Sequence, residues 1–128
     1  NKRLIQAMTD VKESINSYTM TRESIVLGAA SLADEEYFQE KKQMVVATRE
    51  RTKEELRRRG FEVLDSSANF LFAKPNSVDA GWLFEELKKE KIFVRHFNGE
   101  RIKDYLRISI GTDQQMDCLL QAIDRIMA

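Results

Sequence analysis

Two arginines in neighbouring strand-like segments are the residues of this sequence best suited to chemistry. In the run YLRISI, residues 105–110, apolar side chains alternate with Arg107 and Ser109. Successive side chains of a strand point to opposite faces of a sheet, so Arg107 and Ser109 share the face opposite the apolar residues. Arg95 lies in the preceding strand-like run, IFVRHF, residues 92–97. If these two strands pair, both guanidinium groups approach one site from a rigid sheet.

The planar fork of a guanidinium group matches carboxylate and phosphate groups with two parallel hydrogen bonds. A pair of arginines on one sheet face is therefore suited to binding an anion. The alternative interpretation is that Arg95 and Arg107 are surface residues paired with carboxylates of nearby helices. The spacing alone leaves both interpretations open.

Other kinds of active site have little support in the sequence. It contains one histidine, one cysteine and five isolated glycines. A metal site needs clustered ligands, and a phosphate loop needs clustered glycines, so we expect neither. We interpret His96 as a structural or surface residue because its neighbours indicate no orienting partner. Cys118 lies in an apolar helical pattern, and a lone cysteine indicates a reducing compartment.

Composition favours one cytoplasmic, soluble domain. The 128 residues are 42% hydrophobic, and 21 basic side chains balance 21 acidic ones. This gives no basic field for nucleic acid or anionic membranes, and no run approaches the ~20 apolar residues of a membrane span. Because the sequence begins at Asn1 inside a helical pattern, we expect it to be a fragment.

The first half of the sequence predicts three helices. Apolar residues at helical spacing indicate a helix over about residues 2–14, Thr21 caps a second that ends near Ala33, and a third runs from Asp34 to Arg59 before Gly60. Its inward residues are predicted to be Tyr37, Phe38, Met44, Val45 and Leu56.

The second half predicts short strands and two helices. Strands are expected at residues 61–64, 69–75, 92–97 and 105–110, with a helix between the second and third that ends at Lys91. Thr112 and Gln115 form a capping-box pattern before a final helix. This order predicts an α+β fold, in which helices pack on a small, mainly antiparallel sheet that N-terminal helices precede.

Several runs resemble the C-terminal third of the histidinol-phosphate aminotransferase family, in the same order and at similar spacing. These runs are SYTMTRESIVLGAASLADEEYF, RGFEVLDSSANFLFAKP, LFEELKKEKIFVRHFN and KDYLRISIGTDQQMDCLLQAI. The resemblance covers nearly the whole chain. Its most specific parts are the S-x-N-F run that begins at Ser67, Val94-Arg95, and the Y-L-R-I-S-I-G-T run that begins at Tyr105.

The resemblance implies a homodimeric fold-type-I enzyme that uses pyridoxal 5'-phosphate (PLP) in histidine biosynthesis. Its substrates would be histidinol phosphate and glutamate or 2-oxoglutarate. Arg107 would bind the α-carboxylate of glutamate in one half-reaction and the phosphate of histidinol phosphate in the other, and Arg95 would be a second substrate contact. Asn69 and Tyr18 are further substrate-binding candidates. Tyr18 lies in SYTMTR, where the family commonly has asparagines at the positions of Thr19 and Thr21.

The resemblance also implies a domain organisation. Residues 1–128 would form the C-terminal small domain, with residues 1–33 as a helical lead-in from the large domain. The catalytic lysine and the cofactor contacts would belong to that large domain, so we expect this fragment to hold no PLP and to be inactive alone. We interpret Lys42, Lys53, Lys88 and Lys103 as solvated surface residues.

Two alternatives remain open. The arginine pair recognises carboxylate or phosphate without specifying the rest of the substrate, so a related aminotransferase or a phosphothreonine decarboxylase fits equally. A free-standing, non-catalytic module that binds small anions is the alternative from a different class. It would leave the N-terminal helices unexplained.

Overall fold

The computed structural model describes residues 1–15 and 18–128, which fold as two compact units, residues 1–39 and 40–128. The third helix is divided between the two units, because the boundary lies between residues 39 and 40. The helices are α1 Lys2–Ile15, α2 Arg22–Ala33, α3 Glu35–Arg58, α4 Ala80–Lys89 and α5 Asp113–Met127. The strands are β1 Phe61–Val63, β2 Phe70–Pro75, β3 Arg95–His96 and β4 Leu106–Ser109.

The first unit contains α1 and α2, both at the positions that the sequence predicts. The side chain of Thr21 accepts a hydrogen bond from the backbone N–H of Ser24 at 3.2 Å, which confirms the predicted cap of α2. Large apolar side chains on both helices are exposed in the described part of the chain. Those of α1 are Leu4, Ile5, Met8 and Val11.

The second unit contains a four-stranded antiparallel sheet with the strand order β1-β2-β4-β3. Leu71 of β2 pairs with Ile108 of β4, and Ala73 pairs with Leu106. All four side chains are buried on the face that the helices cover. The predicted α+β fold with an antiparallel sheet is confirmed.

The helix-covered face of the sheet carries the hydrophobic core of the second unit. The buried helical residues that pack there include Leu56, Leu83, Leu87, Leu119 and Ile123. Leucine and isoleucine at spacings of three, four and seven residues give α4 and α5 one apolar face each. The opposite face of the sheet carries no covering helix of this unit, and the two candidate arginines lie there.

The ends of the elements follow their local sequence. Asp79 caps α4 by accepting from the N–H of Trp82 at 2.8 Å. At the start of α5, Thr112 and Gln115 form the predicted capping box with reciprocal hydrogen bonds. Gly60 ends α3, as predicted, and its φ of 81° lies in the left-handed region that glycine adopts without strain.

Two burial predictions are wrong. Tyr37, Phe38 and Met44 were expected to point inward, but all three are exposed, because the core of the second unit reaches along α3 only from Thr48 to Leu56. Cys118 is also exposed. The buried positions of α5 follow the spacing 116, 119, 120 and 123, and residue 118 falls outside that stripe.

The boundary between α4 and β3 also differs from the prediction. The helix ends at Lys89 rather than Lys91, and β3 is limited to two residues. Lys91 has a φ of 61°, and the N–H of Ile92 donates to the carbonyl of Leu87 at 2.9 Å. Because the helix end takes this amide, Ile92 cannot join the sheet, and the strand begins only at Arg95.

Ionic contacts fasten α3 to α5. Arg51 pairs with Asp113 at 2.9 Å, and Arg59 pairs with Asp124 at 2.7 Å. The hydroxyl of Thr48 also donates to Asp113 at 3.0 Å. Hydrogen bonds from Thr48 and then Arg51 lower the pKa of Asp113, and the hydrogen bonds from Arg59 lower the pKa of Asp124.

Candidate functional site

Arg95 and Arg107 lie directly opposite each other on paired strands. Arg95 of β3 and Arg107 of β4 are Cα partners in an antiparallel ladder. Their side chains share the sheet face that faces away from the core, and Ser109 lies on the same face. The predicted pairing of the two strands is confirmed, and it brings both guanidinium groups to one surface, which we call the arginine face.

Aromatic rings surround the two guanidinium groups. The guanidinium carbon Cζ of Arg95 is 5.2 Å from the centroid of the Phe97 ring. The Cζ atom of Arg107 is 5.9 Å from the same centroid and 5.4 Å from that of Phe70. These distances are within the ~6 Å range of cation–π attraction, so Phe97 interacts with both arginines.

The rings themselves form a connected row across the arginine face. Phe72 stacks on Phe97 with 6.4 Å between centroids and an interplanar angle of 18°. The centroid of the Tyr105 ring lies 5.8 Å from that of Phe72, and the centroid of the Phe70 ring lies 6.5 Å from it. Aromatic pairs at these separations attract one another, and the row gives Phe97 a fixed position.

Neither arginine has an acidic partner. Among the residues that the structure describes, no ion pair includes Arg95 or Arg107, so their predicted alternative pairing with helix carboxylates is not observed. The Nε atom of Arg107 is buried and has no hydrogen-bond partner within the described chain. A cation in an aromatic setting without a counter-ion is suited to binding an anionic ligand through its accessible nitrogens.

Asn69 lies at the same end of the sheet as the arginines but takes no part in their contacts within the described chain. It immediately precedes β2, and its carbonyl accepts from the N–H of Ile110 at 2.8 Å. Its side chain is exposed. Its role in substrate binding stays a prediction.

Tyr18 belongs to the first unit, whereas Asn69 and the arginines belong to the second. Its side chain is 90% exposed. Ser17, which begins the quoted resemblance around Tyr18, lies outside the described residues. A substrate-binding role for Tyr18 stays a prediction.

His96 has a structural role, in line with its interpretation from the sequence. Its Nε2 atom lies 2.6 Å from the carbonyl oxygen of Lys103. A carbonyl only accepts, so Nε2 carries the proton of this hydrogen bond. The ring also packs against Phe84 with 6.0 Å between centroids. His96 thereby ties the connection between β3 and β4 to α4 and fixes the strand that carries Arg95.

Tyr105 and Glu62 make a polar contact at the edge of the arginine face. The phenol of Tyr105 donates to Oε1 of Glu62 at 2.9 Å and so links the flank of β4 to β1. This hydrogen bond, followed by burial, raises the pKa of Tyr105 above its ordinary value. Since the neutral phenol is the donor, the contact requires protonated Tyr105.

Three lysines of the second unit are held in ion pairs. Lys53 pairs with Glu50 at 2.7 Å and with Asp65 at 3.3 Å, and its side chain is only 13% exposed. The prediction that Lys53 is a solvated residue is therefore wrong, because the two carboxylates hold it against the protein. Lys88 and Lys103 pair with Glu85 and Glu100 in surface contacts.

The described part of the chain, residues 1–15 and 18–128, contains no cluster of three or more histidine, cysteine or acidic side chains placed to hold a metal ion. It also contains no helix with the length and apolar character needed to cross a bilayer.

A cleft of about 500 Å³ lies between α3 and the start of α5. Its lining includes Met44, Val45, Thr48 and Ile110 but neither arginine. The arginine face, rather than this cleft, is the candidate site because it combines on one surface two cations that are unpaired within the described chain.

The aromatic partners of the arginines were missed in the sequence. Phe70 and Phe72 were assigned to one strand face, and Phe97 follows Arg95 by two residues, which places both on the same side of a strand. The two-residue alternation of strand side chains therefore already indicated that Phe97 shares a face with Arg95 and that Phe70 and Phe72 share a face. The register that brings Phe72 opposite Arg107 became visible only in the fold.

Comparison with known proteins identifies the family. The family model "Aminotransferase class I and II" matches residues 1–123. Histidinol-phosphate aminotransferase of Aromatoleum aromaticum is 45% identical over 99% of this chain, and that of Clostridium acetobutylicum is 43% identical over 98%. The chain spans about a third of these relatives' length, 36% in both cases.

Solved structures show the same fold. Histidinol-phosphate aminotransferase from Sinorhizobium meliloti, solved in complex with PLP, matches 93% of this chain with a TM-score of 0.75 and 26% identity, over 34% of its own length. A decarboxylase from Sulfurospirillum multivorans matches the whole chain and 37% of its own length with the same TM-score, but at 19% identity this shows the fold alone. Together with the family match over residues 1–123, these findings show that the chain belongs to the class I and II aminotransferases.

Proposed function

We propose that this chain supplies the anion-binding wall of the active site in a PLP-dependent aminotransferase acting on histidinol phosphate and 2-oxoglutarate. The observation that carries the proposal is the arginine face. Two guanidinium groups lie opposite each other on a rigid sheet, and neither has an acidic partner in the described chain. Relatives named histidinol-phosphate aminotransferase, 40–46% identical over most of the chain, support this choice of substrate.

Arg107 is the main anion-binding residue in this proposal. The two amine substrates carry different anions, since glutamate has an α-carboxylate where histidinol phosphate has a phosphate. One guanidinium group can donate two parallel hydrogen bonds to the oxygens of either anion. Because β4 is paired on both sides, Arg107 holds the substrate in one orientation and leaves the amine free to react.

Arg95 is the second contact in the proposal. Its position opposite Arg107 doubles the positive charge that faces a phosphate dianion. Asn69 and Tyr18 are further substrate-binding candidates in the intact protein. Asn69 is supported by its place beside the end of β4, where its carbonyl bonds to Ile110. Tyr18 rests on the sequence resemblance alone.

The rest of the active site is proposed to lie in another part of a longer, homodimeric, cytoplasmic protein. Residues 1–128 would then be the small C-terminal domain, and residues 1–33 the helical lead-in from the large one. This is supported by the length of the relatives, of which this chain covers about a third.

Lys53, Lys88 and Lys103 do not fit the part of a lysine that holds PLP. Lys53 is neutralised by two carboxylates, and Lys88 and Lys103 lie in surface pairs. A lysine that forms a Schiff base instead needs a lowered pKa in a desolvated site. We therefore assign this chain the task of binding and orienting substrate, and we expect the chain alone to be inactive.

Replacing Arg107 tests the proposed function. In the intact protein, Arg107→Ala should lower kcat/KM for histidinol phosphate by about 30-fold to several thousand-fold, equivalent to about 2–5 kcal/mol of lost transition-state binding. Steady-state kinetics with histidinol phosphate and 2-oxoglutarate would measure this effect.

The matched control is Arg58→Ala. Arg58 is an exposed arginine of α3 that pairs with Glu55, so its loss should leave kcat/KM within about twofold. Equal kinetics for Arg107→Ala and the unmodified protein would remove Arg107 from the site. Normal amino transfer to 2-oxoglutarate from other donors, with none from histidinol phosphate, would indicate a related aminotransferase.

A further inference from the structure

We propose that Phe97 is a positioning residue that fixes both guanidinium groups of the arginine face, so that Arg95 and Arg107 act as a single two-point receptor for an anion. This inference rests on the proposed function and adds a residue to it. The observation behind it is that one aromatic ring lies within cation–π distance of both arginines, 5.2 Å from Arg95 and 5.9 Å from Arg107.

The first step of the argument is electrostatic. Like charges directly opposite each other on paired strands repel. Arg95 and Arg107 are such a pair, and no carboxylate of the described chain neutralises either of them. The face of an aromatic ring carries negative potential and attracts a cation without forming a salt bridge. Phe97 therefore offsets the repulsion while leaving both positive charges available to a ligand.

The second step concerns rigidity. An arginine side chain has many rotamers, and holding one in a single position costs free energy when a ligand binds. Phe97 is itself half-buried and stacks on Phe72, which contacts Tyr105 and Phe70. The ring is therefore placed by the sheet, and it can restrict both guanidinium groups before substrate arrives.

The third step separates binding from chemistry. Phe97 contacts the arginines rather than reacting atoms, so its loss should weaken anion binding in the ground state and in the transition state alike. Such uniform binding appears in KM and leaves kcat nearly unchanged. A residue that only stabilised the fold would instead lower Tm and the amount of active protein without changing KM.

The experiment compares Phe97→Leu with Phe97→Tyr in the intact protein. Phe97→Leu keeps an apolar side chain and removes the ring, and we expect KM for histidinol phosphate to rise by about 5- to 30-fold with kcat within about twofold. Phe97→Tyr keeps the ring face and should restore KM to within about twofold. Binding of inorganic phosphate, followed by titration calorimetry, should weaken and recover in the same two variants.

The matched control is Phe93→Leu. Phe93 lies two residues before Arg95 and is 79% exposed, and none of the ring contacts in the described chain includes it. Its replacement removes the same group from the same segment and should leave KM and phosphate binding unchanged. An equal KM increase in Phe93→Leu and Phe97→Leu would overturn the proposal.

A series of fluorinated phenylalanines at position 97 covers the case in which Phe97→Leu fails to fold. Each added fluorine weakens the negative potential of the ring face with little change in shape. The logarithm of KM should therefore rise steadily with the number of fluorines. A KM that stays constant through the series, or a Phe97→Tyr variant as impaired as Phe97→Leu, would overturn the role of Phe97.

The result for Arg107→Ala separates this inference from the proposed function. A strong loss of activity in Arg107→Ala with normal KM in Phe97→Leu would reject Phe97 and leave the proposed function in place. Normal activity in Arg107→Ala would reject the proposed function itself.

Discussion

The two faces of the sheet differ in what they bury and in what they leave unpaired. On the helix-covered face, Leu106 and Ile108 of β4 are in contact with leucines and isoleucines of the helices and have almost no exposed surface. On the arginine face, the alternate residue of the same strand, Arg107, lies among aromatic rings with a buried Nε atom that has no acceptor in the described chain.

This difference indicates that the two faces of β4 have different roles. Burial of the apolar side chains contributes stability in proportion to the area removed from water. The unpaired cations of the arginine face contribute little or oppose folding, because a buried donor without an acceptor costs free energy. Local rules of this kind are broken mainly at functional sites, so the arginine face is the part of the fold that function explains.

The largest effect that tests this comparison comes from adjacent residues of β4. Leu106→Ala should destabilise this chain by about 2–5 kcal/mol, because it leaves a cavity in the core. Arg107→Ala should change the free energy of unfolding by only about 0.5 kcal/mol, since it removes a side chain that has no hydrogen-bond acceptor and faces a like charge. Urea unfolding followed by the fluorescence of Trp82, the one tryptophan of the sequence, measures both values.

Similar destabilisation by the two variants would contradict the division between the faces. It would mean that the contacts of Arg107 on the arginine face stabilise the fold about as much as the packing of Leu106 on the helix-covered face. The comparison is sharp because the two residues are neighbours in one strand and differ in the face they occupy.

The covered face was easier to predict from the sequence than the arginine face. The alternation in YLRISI and the spacing of Leu119, Leu120 and Ile123 directly specify which side chains are buried. In α3 the sequence correctly predicted Leu56 as buried but missed Thr48 and Thr52, which do not mark an apolar stripe. The exposed Tyr37, Phe38 and Met44 were misplaced for the same reason, since apolar character alone does not say where a core ends.

The arginine face depends on information that no single segment contains. Alternation placed Arg107 and Ser109 on one face, and the preceding strand-like run placed Arg95 near them if the two strands pair. The shared contact with Phe97 depends on the register between β3 and β4, which joins two separate segments of the sequence.

Acid should weaken the ionic contacts between α3 and α5, on the helix-covered side of the sheet, more than it weakens the arginine face. The pKa values of Asp113 and Asp124 are lowered from 3.8, so their contacts with α3 add stability that is complete above about pH 4. This stability is lost as the pH falls through the lowered values and the carboxylates take up protons. In a variant with Asp113→Asn and Asp124→Asn, the urea midpoint should fall less between about pH 5 and pH 2 than in the unmodified chain.

Asp10→Asn provides the control for the acid experiment. Asp10 is an exposed residue of α1 that accepts a hydrogen bond from Gln6. Its replacement should leave the acid dependence of the urea midpoint as it is. An acid dependence that persists in the double variant would show that the ionic contacts between α3 and α5 do not hold the covered side together.

Alkali should produce the smallest change in stability, and this change should arise at the arginine face. Since the pKa of Tyr105 is raised above 10.0 by its hydrogen bond to Glu62, the contact is complete below about pH 10 and is lost as the pH rises through the raised value. Tyr105→Phe keeps the ring against Phe72 and removes the titrating phenol, so the urea midpoint should fall less between about pH 9 and pH 11. If Tyr105→Phe keeps the alkali dependence of the unmodified chain, Tyr105 and Glu62 contribute nothing specific, and the arginine face is held by its rings alone.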